Sequence, residues 1–145
     1  MNRTSIAAFA FTTLLGVGIV AEAVPPDQGT DKQLQVISTK KTQELEKKKS
    51  DVVLLDVRTV EEYNSGTGHL KNAILIPVQE LEQRVGELEK YKDKTIIAYC
   101  RTGRRSGTAT EFLTKNGFKV LNMEGGIVKW NEEKLPVEKT TPKHK

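Results

Sequence analysis

Cysteine is almost absent from this chain: Cys100 is the only one in 145 residues. A single thiol excludes an internal disulfide framework. Histidine is nearly as scarce, with His69 and His144 alone, so no metal cluster can be assembled around imidazoles and thiolates. Aromatic residues make up 6% of the chain and do not interleave with the basic ones. That pattern argues against a stacking platform for single-stranded nucleic acid, and no nucleic-acid partner is expected. Glycine-rich nucleotide chemistry is missing too. Gly66-Thr67-Gly68 is followed by Lys71 where a dinucleotide fingerprint needs a third glycine, and the motif fails.

What remains is the composition of an ordinary globular chain, with 37% hydrophobic and 29% charged residues. The length favours one domain, because two would each bury too little core. The formal charge of +4 is carried partly by lysine clusters at Lys40, Lys41 and Lys47 to Lys49, and again at Lys139, Lys143 and Lys145. These read as a solvated helix face and a chain end.

Residues 1–23 read as a secretory signal peptide. Arg3 supplies a positive start, residues 6–20 are uncharged and mostly apolar, and Ala21-Glu22-Ala23 offers a small-x-small cleavage pattern. A helix over that apolar stretch would span only ~22 Å at ~1.5 Å per residue, short of a ~30 Å hydrocarbon core. Pro25 and Pro26 follow at once, which suits a processed, extended end. The expectation is an exported, periplasmic protein with no stable membrane anchor after cleavage. Residues 24–33 read as an extended N-terminal segment and 138–145 as a loose C-terminal tail. In an oxidising compartment a lone thiol is intermolecularly paired, reactive, or simply buried as a small hydrophobe, and its neighbours decide among these.

Strand and helix patterns alternate along the rest. Leu34 to Ile37 forms a short apolar strand, and Ser38 or Thr39 can cap a helix running to Lys48. Residues 52–57 (VVLLDV) form a strand buried on both faces. Thr59 and Glu62 have capping-box spacing, and Gly66 and Gly68 end that short helix. Ala73 to Ile76 is a strand stopped by Pro77. Leu81, Val85 and Leu88 recur at helical spacing and predict a helix over residues 78–91. Residues 95–99 (TIIAY) form another buried strand, Ser106 to Asn116 has helical character, and Gly117 sits where a left-handed cap belongs. A last strand at Val120 to Asn122 and a helix carrying Trp130 complete the pattern. This alternation implies a parallel sheet covered by helices on both faces, because parallel crossovers need a helix. Ligands of such sheets collect beyond the carboxyl ends of the strands, where Cys100 lies.

The stretch AYCRTGRRSG places that thiol between a buried strand and a helix start. Loop amides and the helix N-terminus can point at the sulfur, while Arg101, Arg104 and Arg105 add positive charge. A free thiol with a pKa of ~8.5 is only ~3% ionised at pH 7. Lowering it by two units requires ~2.7 kcal/mol, more than the ~0.3–1 kcal/mol a helix dipole supplies. Direct amide bonds to sulfur, with the arginines, are needed for the rest. Asp56 and Arg58, ending a buried strand, read as a supporting ion pair. His69 reads as a structural hydrogen-bonding residue and Trp130 as a core or lid anchor.

These segments resemble a known family. CRTGRRS after an apolar strand is similar to the active-site loop of rhodaneses, and LLDVRTVEEY to that family's earlier strand-turn-helix. GHLKNAILIP resembles its Gly-His segment, and GGIVKWNEEKLPV its C-terminal pattern. The chain most resembles small periplasmic, single-domain members of the phage-shock-induced type. The resemblance implies a rhodanese domain over residues 34–137, with a five-stranded parallel sheet flanked by helices. It also implies a thiosulfate sulfurtransferase that passes sulfur through a Cys100 persulfide to cyanide or another thiophilic acceptor. Arg101, Thr102, Gly103, Arg104 and Arg105 would form the substrate-binding cradle, and the arginines would attract the anionic donor. No metal or other cofactor is implied, and nothing calls for a partner subunit, so a monomer is expected. Two departures stand out. The NSGTG stretch before His69 is two residues longer than usual, and Asn72 replaces a common glycine. Phosphatases of the same architecture need five residues between cysteine and arginine, whereas Arg105 is itself the fifth position here, so the loop has the short sulfurtransferase size. A non-catalytic binding module is the other rival, and the cysteine in its basic loop argues against it.

Overall fold

The computed structural model describes residues 35–48 and 51–140. The expected leader (1–23), the extended segment (24–33), Leu34, Lys49 and the chain end with His144 lie outside the described residues. Five strands appear in chain order: β1 Val36–Ile37, β2 Val52–Asp56, β3 Ile74–Leu75, β4 Thr95–Tyr99 and β5 Lys119–Met123. All pair parallel in the order β1-β5-β4-β2-β3, as the alternating pattern required.

Strand alternation divides the core between the two faces of the sheet. Leu55, Ile96, Ala98 and Cys100 lie in one buried cluster, with Leu81, Leu88 and Leu113. Leu54, Ile97 and Tyr99 lie in the other, with Ile127 and Trp130. Each fully buried Leu or Ile stabilises the fold by roughly 1.5–3 kcal/mol relative to an exposed one. The same alternation decides the side on which the thiol emerges: Cys100 shares the face of Ile96 and Ala98. In register, Asp56 sits opposite Tyr99, so β2 and β4 end side by side.

The helices begin where local chemistry starts them. α1 (Thr39–Lys47) is capped by the Ser38 side chain, which accepts the Lys41 amide. α2 (Val60–Tyr63) carries the capping box of Thr59 and Glu62. The helix expected over residues 78–91 is instead α3 (Leu81–Arg84) followed by a 3-10 segment, Val85–Tyr91. Gly86 in its middle weakens α-helical winding, while Leu81 and Leu88 remain buried. Periodicity identified the buried side chains but not the tighter winding. α4 (Arg104–Lys115) starts two residues earlier than expected, after Gly103 at φ 104°, and Gly117 ends it at φ 86°. α5 spans Gly126–Glu132.

The expected loose tail is tied down at its start. Glu138 forms an antiparallel bridge with His69, with amide-to-carbonyl bonds of 2.8 and 2.9 Å. Trp130 is fully buried and its indole N–H donates to the Pro136 carbonyl at 2.9 Å, making it a core anchor. Asn72, in place of the usual glycine, adopts φ 56°. Asparagine is among the few side chains that tolerate this left-handed region.

Candidate active site

Cys100 leaves the carboxyl end of β4 almost fully buried, at 1% exposure. The chain turns sharply at Gly103 and enters α4, so successive amides face back toward the sulfur. Gly103 N–H donates to Cys100 Sγ at 3.2 Å and Ser106 Oγ lies 3.5 Å from it. Burial pushes the thiol's pKa up. The Ser106 hydroxyl and the Ser106, Gly103 and Thr102 amides outweigh it and hold the thiol below its ordinary range.

The expected loop residues are therefore together, with a division of labour. Thr102 and Gly103 contribute backbone amides. Arg101 and Arg104 are exposed, and among the described residues neither side chain has a hydrogen-bonding or ionic partner. Arg105 differs. Its two terminal nitrogens bind the Glu62 carboxylate at 2.6 and 2.7 Å. Of the three arginines expected to face an anion, Arg105 is thus the one that already has a carboxylate partner. That pair raises the guanidinium pKa, with the Cys100 sulfur adding a smaller effect of the same sign. It also lowers Glu62 to about 2.

Three buttresses were not recognised from sequence. Asn122 on β5 accepts the Ser106 hydroxyl at 2.6 Å and donates to the Gly103 carbonyl at 3.1 Å, fixing the turn from the next strand. Gly126, at φ 56°, lies so close to the loop that a Cβ would sit 2.5 Å from the Arg101 carbonyl oxygen and nearer still to that of Cys100. The Ile127 and Val128 amides then donate to those carbonyls at 2.9 and 3.1 Å. In the sequence Ser106 marks only the start of a helix. Gly125-Gly126 was the visible signal, since paired glycines before a helix mark close backbone approach.

The Asp56–Arg58 pair forms as expected. Arg58 Nη2 lies 2.7 Å from Asp56 Oδ2, at 1% and 0% exposure. Arg58 also donates to the Glu62 and Gly68 carbonyls and to Thr67 Oγ1. His69 is buried, stacked on Tyr63 with ring centroids 3.8 Å apart. Its Nδ1 lies 3.1 Å from the Leu70 carbonyl, a structural role. The longer NSGTG stretch supplies Ser65 and Thr67 to the wall of a cleft of about 310 Å³, which Glu62, Arg101 and Ile127 also line. Among the described residues no group of three or more His, Cys, Asp or Glu side chains converges as metal ligands would.

An open parallel α/β sheet that presents one amide-bound cysteine at a strand's carboxyl end defines a class of single-loop thiol proteins. Within that class, the chain belongs to the rhodanese-like domain family, which matches residues 39–133. A sulfurtransferase of Allochromatium vinosum is 36% identical over 88 residues, 60% of this chain and 78% of that protein. A tRNA uridine(34) hydroxylase of Cronobacter sakazakii is 40% identical over 96 residues, again 60% of this chain but 27% of that protein. The chain thus spans about a quarter of the hydroxylase's length. Among solved structures, the thiosulfate sulfurtransferase of Pseudomonas aeruginosa has a TM-score of 0.68 at 25% identity, covering 76% of this chain and 21% of that one.

Proposed function

We propose that this protein is a sulfurtransferase that carries sulfane sulfur on Cys100, from thiosulfate or a similar donor to cyanide or another thiophilic acceptor. The observation that carries the reading is the set of loop and helix amides directed at Cys100 Sγ, which favours the thiolate. The thiolate attacks the outer sulfur of thiosulfate. The new Sγ–S bond forms as the donor's S–S bond breaks, and sulfite leaves with the electron pair. Cyanide then attacks the outer sulfur, the persulfide bond breaks back onto Sγ, and thiocyanate departs. The attacking group is already an anion at each step, so no general base is required. The Thr102 and Gly103 amides also serve the persulfide, because the same donors can reach negative charge on the added sulfur. Arg101 and Arg104, exposed beside the loop, draw in the anionic donor.

A phosphatase reading fits less well. With five residues after the cysteine, the position of a phosphate-gripping arginine is taken by Ser106, and the neighbouring Arg105 is held by Glu62. We further propose that the mature protein is periplasmic, on the strength of the leader-like residues 1–23, and that it acts as a monomer.

Intact mass measurement of the purified protein after thiosulfate treatment tests the reaction. The expected result is a gain of one sulfur atom, lost on adding cyanide and absent in Cys100→Ser. An unchanged mass in the wild type would exclude the reaction. A Cys100→Ser variant that still took up and released sulfur would exclude the residue.

A further inference from the structure

We propose that Glu62 is a specificity-determining positioning residue. By holding Arg105 in a two-bonded ion pair, it withdraws one arginine charge from donor recognition and leaves Arg101 and Arg104 to set the affinity for the anion. This assignment rests on the sulfur-transfer reading above.

Glu62 looks local in the sequence, as the third residue of a four-residue helix. Its backbone amide donates to Thr59 Oγ1 at 3.3 Å and its Oε2 accepts the Thr59 amide at 3.2 Å. Yet the same carboxylate crosses 43 positions of sequence to take both terminal nitrogens of Arg105. A capping residue needs only one carboxylate oxygen. The second oxygen, and the shorter bonds, go to the active loop. The two side chains are 29% and 31% exposed, so the pair is partly shielded from water and its charges cancel locally. Glu62 also lines the cleft beside Arg101, which puts its negative charge next to the approach of a dianion. Arg58 faces Glu62 as well, but Asp56 already balances it. The loop therefore meets the donor with two arginine charges rather than three, and Arg105 is left to support the sulfur.

Glu62→Gln removes the charge and keeps an oxygen for the Thr59 cap, so α2 should persist. With the full chain, the rate of Cys100 persulfide formation is measured against donor concentration by quenched intact mass. Glu62→Gln is expected to lower the half-saturating thiosulfate concentration by about 1.5- to five-fold, the range of one partly exposed charge pair. The gain should be smaller for methanethiosulfonate, a monoanionic donor that releases a sulfinate. It should disappear when Glu62→Gln is made in an Arg105→Gln background, and Glu62→Asp, which keeps the charge, should stay near the wild type. A half-saturating concentration that is unchanged or raised in Glu62→Gln would overturn the assignment. So would an equal change with and without Arg105, which would make Glu62 merely a cap. A wild type that forms no persulfide would remove the sulfur-transfer reading and this assignment together. Persulfide formation without the predicted shift removes only the assignment.

Discussion

Ser106 has one hydroxyl hydrogen and three acceptors within reach: Asn122 Oδ1 at 2.6 Å, the Gly103 carbonyl at 3.1 Å and Cys100 Sγ at 3.5 Å. A hydroxyl donates once, and the shortest contact is to Asn122. The backbone amides of Thr102, Gly103 and Ser106 are fixed in direction by the turn, so they are the steady source of thiolate stabilisation. Ser106→Ala removes the hydroxyl but none of the amides. We expect the midpoint of Cys100 alkylation against pH to rise by about one unit or less, since one unit is ~1.4 kcal/mol and an ordinary hydrogen bond contributes ~0.5–1.5 kcal/mol. The sign follows from the charge: the hydroxyl favours the anion, so losing it moves ionisation to higher pH and slows sulfur uptake near neutrality. A rise of two units or more would show that the hydroxyl, and not the amides, governs the sulfur.

At the level of elements, the active loop is held from three sides. β4 delivers the thiol, α4 aims its first amides, and the start of α5 binds the Cys100 and Arg101 carbonyls. Gly126 is the closest approach, and both its φ of 56° and the space around it require glycine. Gly126→Ala should lower the melting temperature by at least ~5 °C, because left-handed backbone alone costs an alanine roughly 1–2 kcal/mol. Sulfur transfer should fall at least about ten-fold as the loop is pushed off the helix. Wild-type melting and rate together would show that the contact is slack. Much of this arrangement was legible in the sequence wherever the partners are neighbours. The Thr59–Glu62 box, the strand running into Cys100 and the helix after Gly103 are all local. Asn122 was not, because a polar strand end shows no sign of which loop it will meet. Nor was the Glu62–Arg105 pair, whose members are brought together by the pairing of β2 with β4. The 3-10 segment escaped because a residue repeat near three and a half is compatible with more than one winding.

For the whole molecule, the Asp56–Arg58 pair adds polar bonds between parts that also share the apolar cluster of Leu54, Tyr63, Leu70 and Tyr99. Asp56 closes β2, in register with Tyr99 just before Cys100. Arg58 binds that carboxylate, then spreads its remaining donors to the Glu62 carbonyl at the end of α2, to Thr67 in the longer loop and to the Gly68 carbonyl. Next along the chain, His69 pairs with Glu138, so the same corner secures the end of the domain. Burial opposes the guanidinium charge, and the Asp56 hydrogen bonds and charge more than compensate. A buried ion pair contributes little net stability when compared with apolar residues of similar size, but removing one member strands the other. Asp56→Ala should therefore cost about 3–5 kcal/mol in denaturant unfolding, a large share of the ~5–15 kcal/mol that holds a domain of this kind. Replacing both members, as Asp56→Leu with Arg58→Met, should cost less than the single change in that global measure. The loop from Ser65 to Gly68 should nevertheless become more open to protease, having lost its donors. If the double variant were as unstable as Asp56→Ala, the pair would be a direct source of stability and not chiefly a means of fixing where the corner, and the cleft lined by Glu62 and Arg101, must sit.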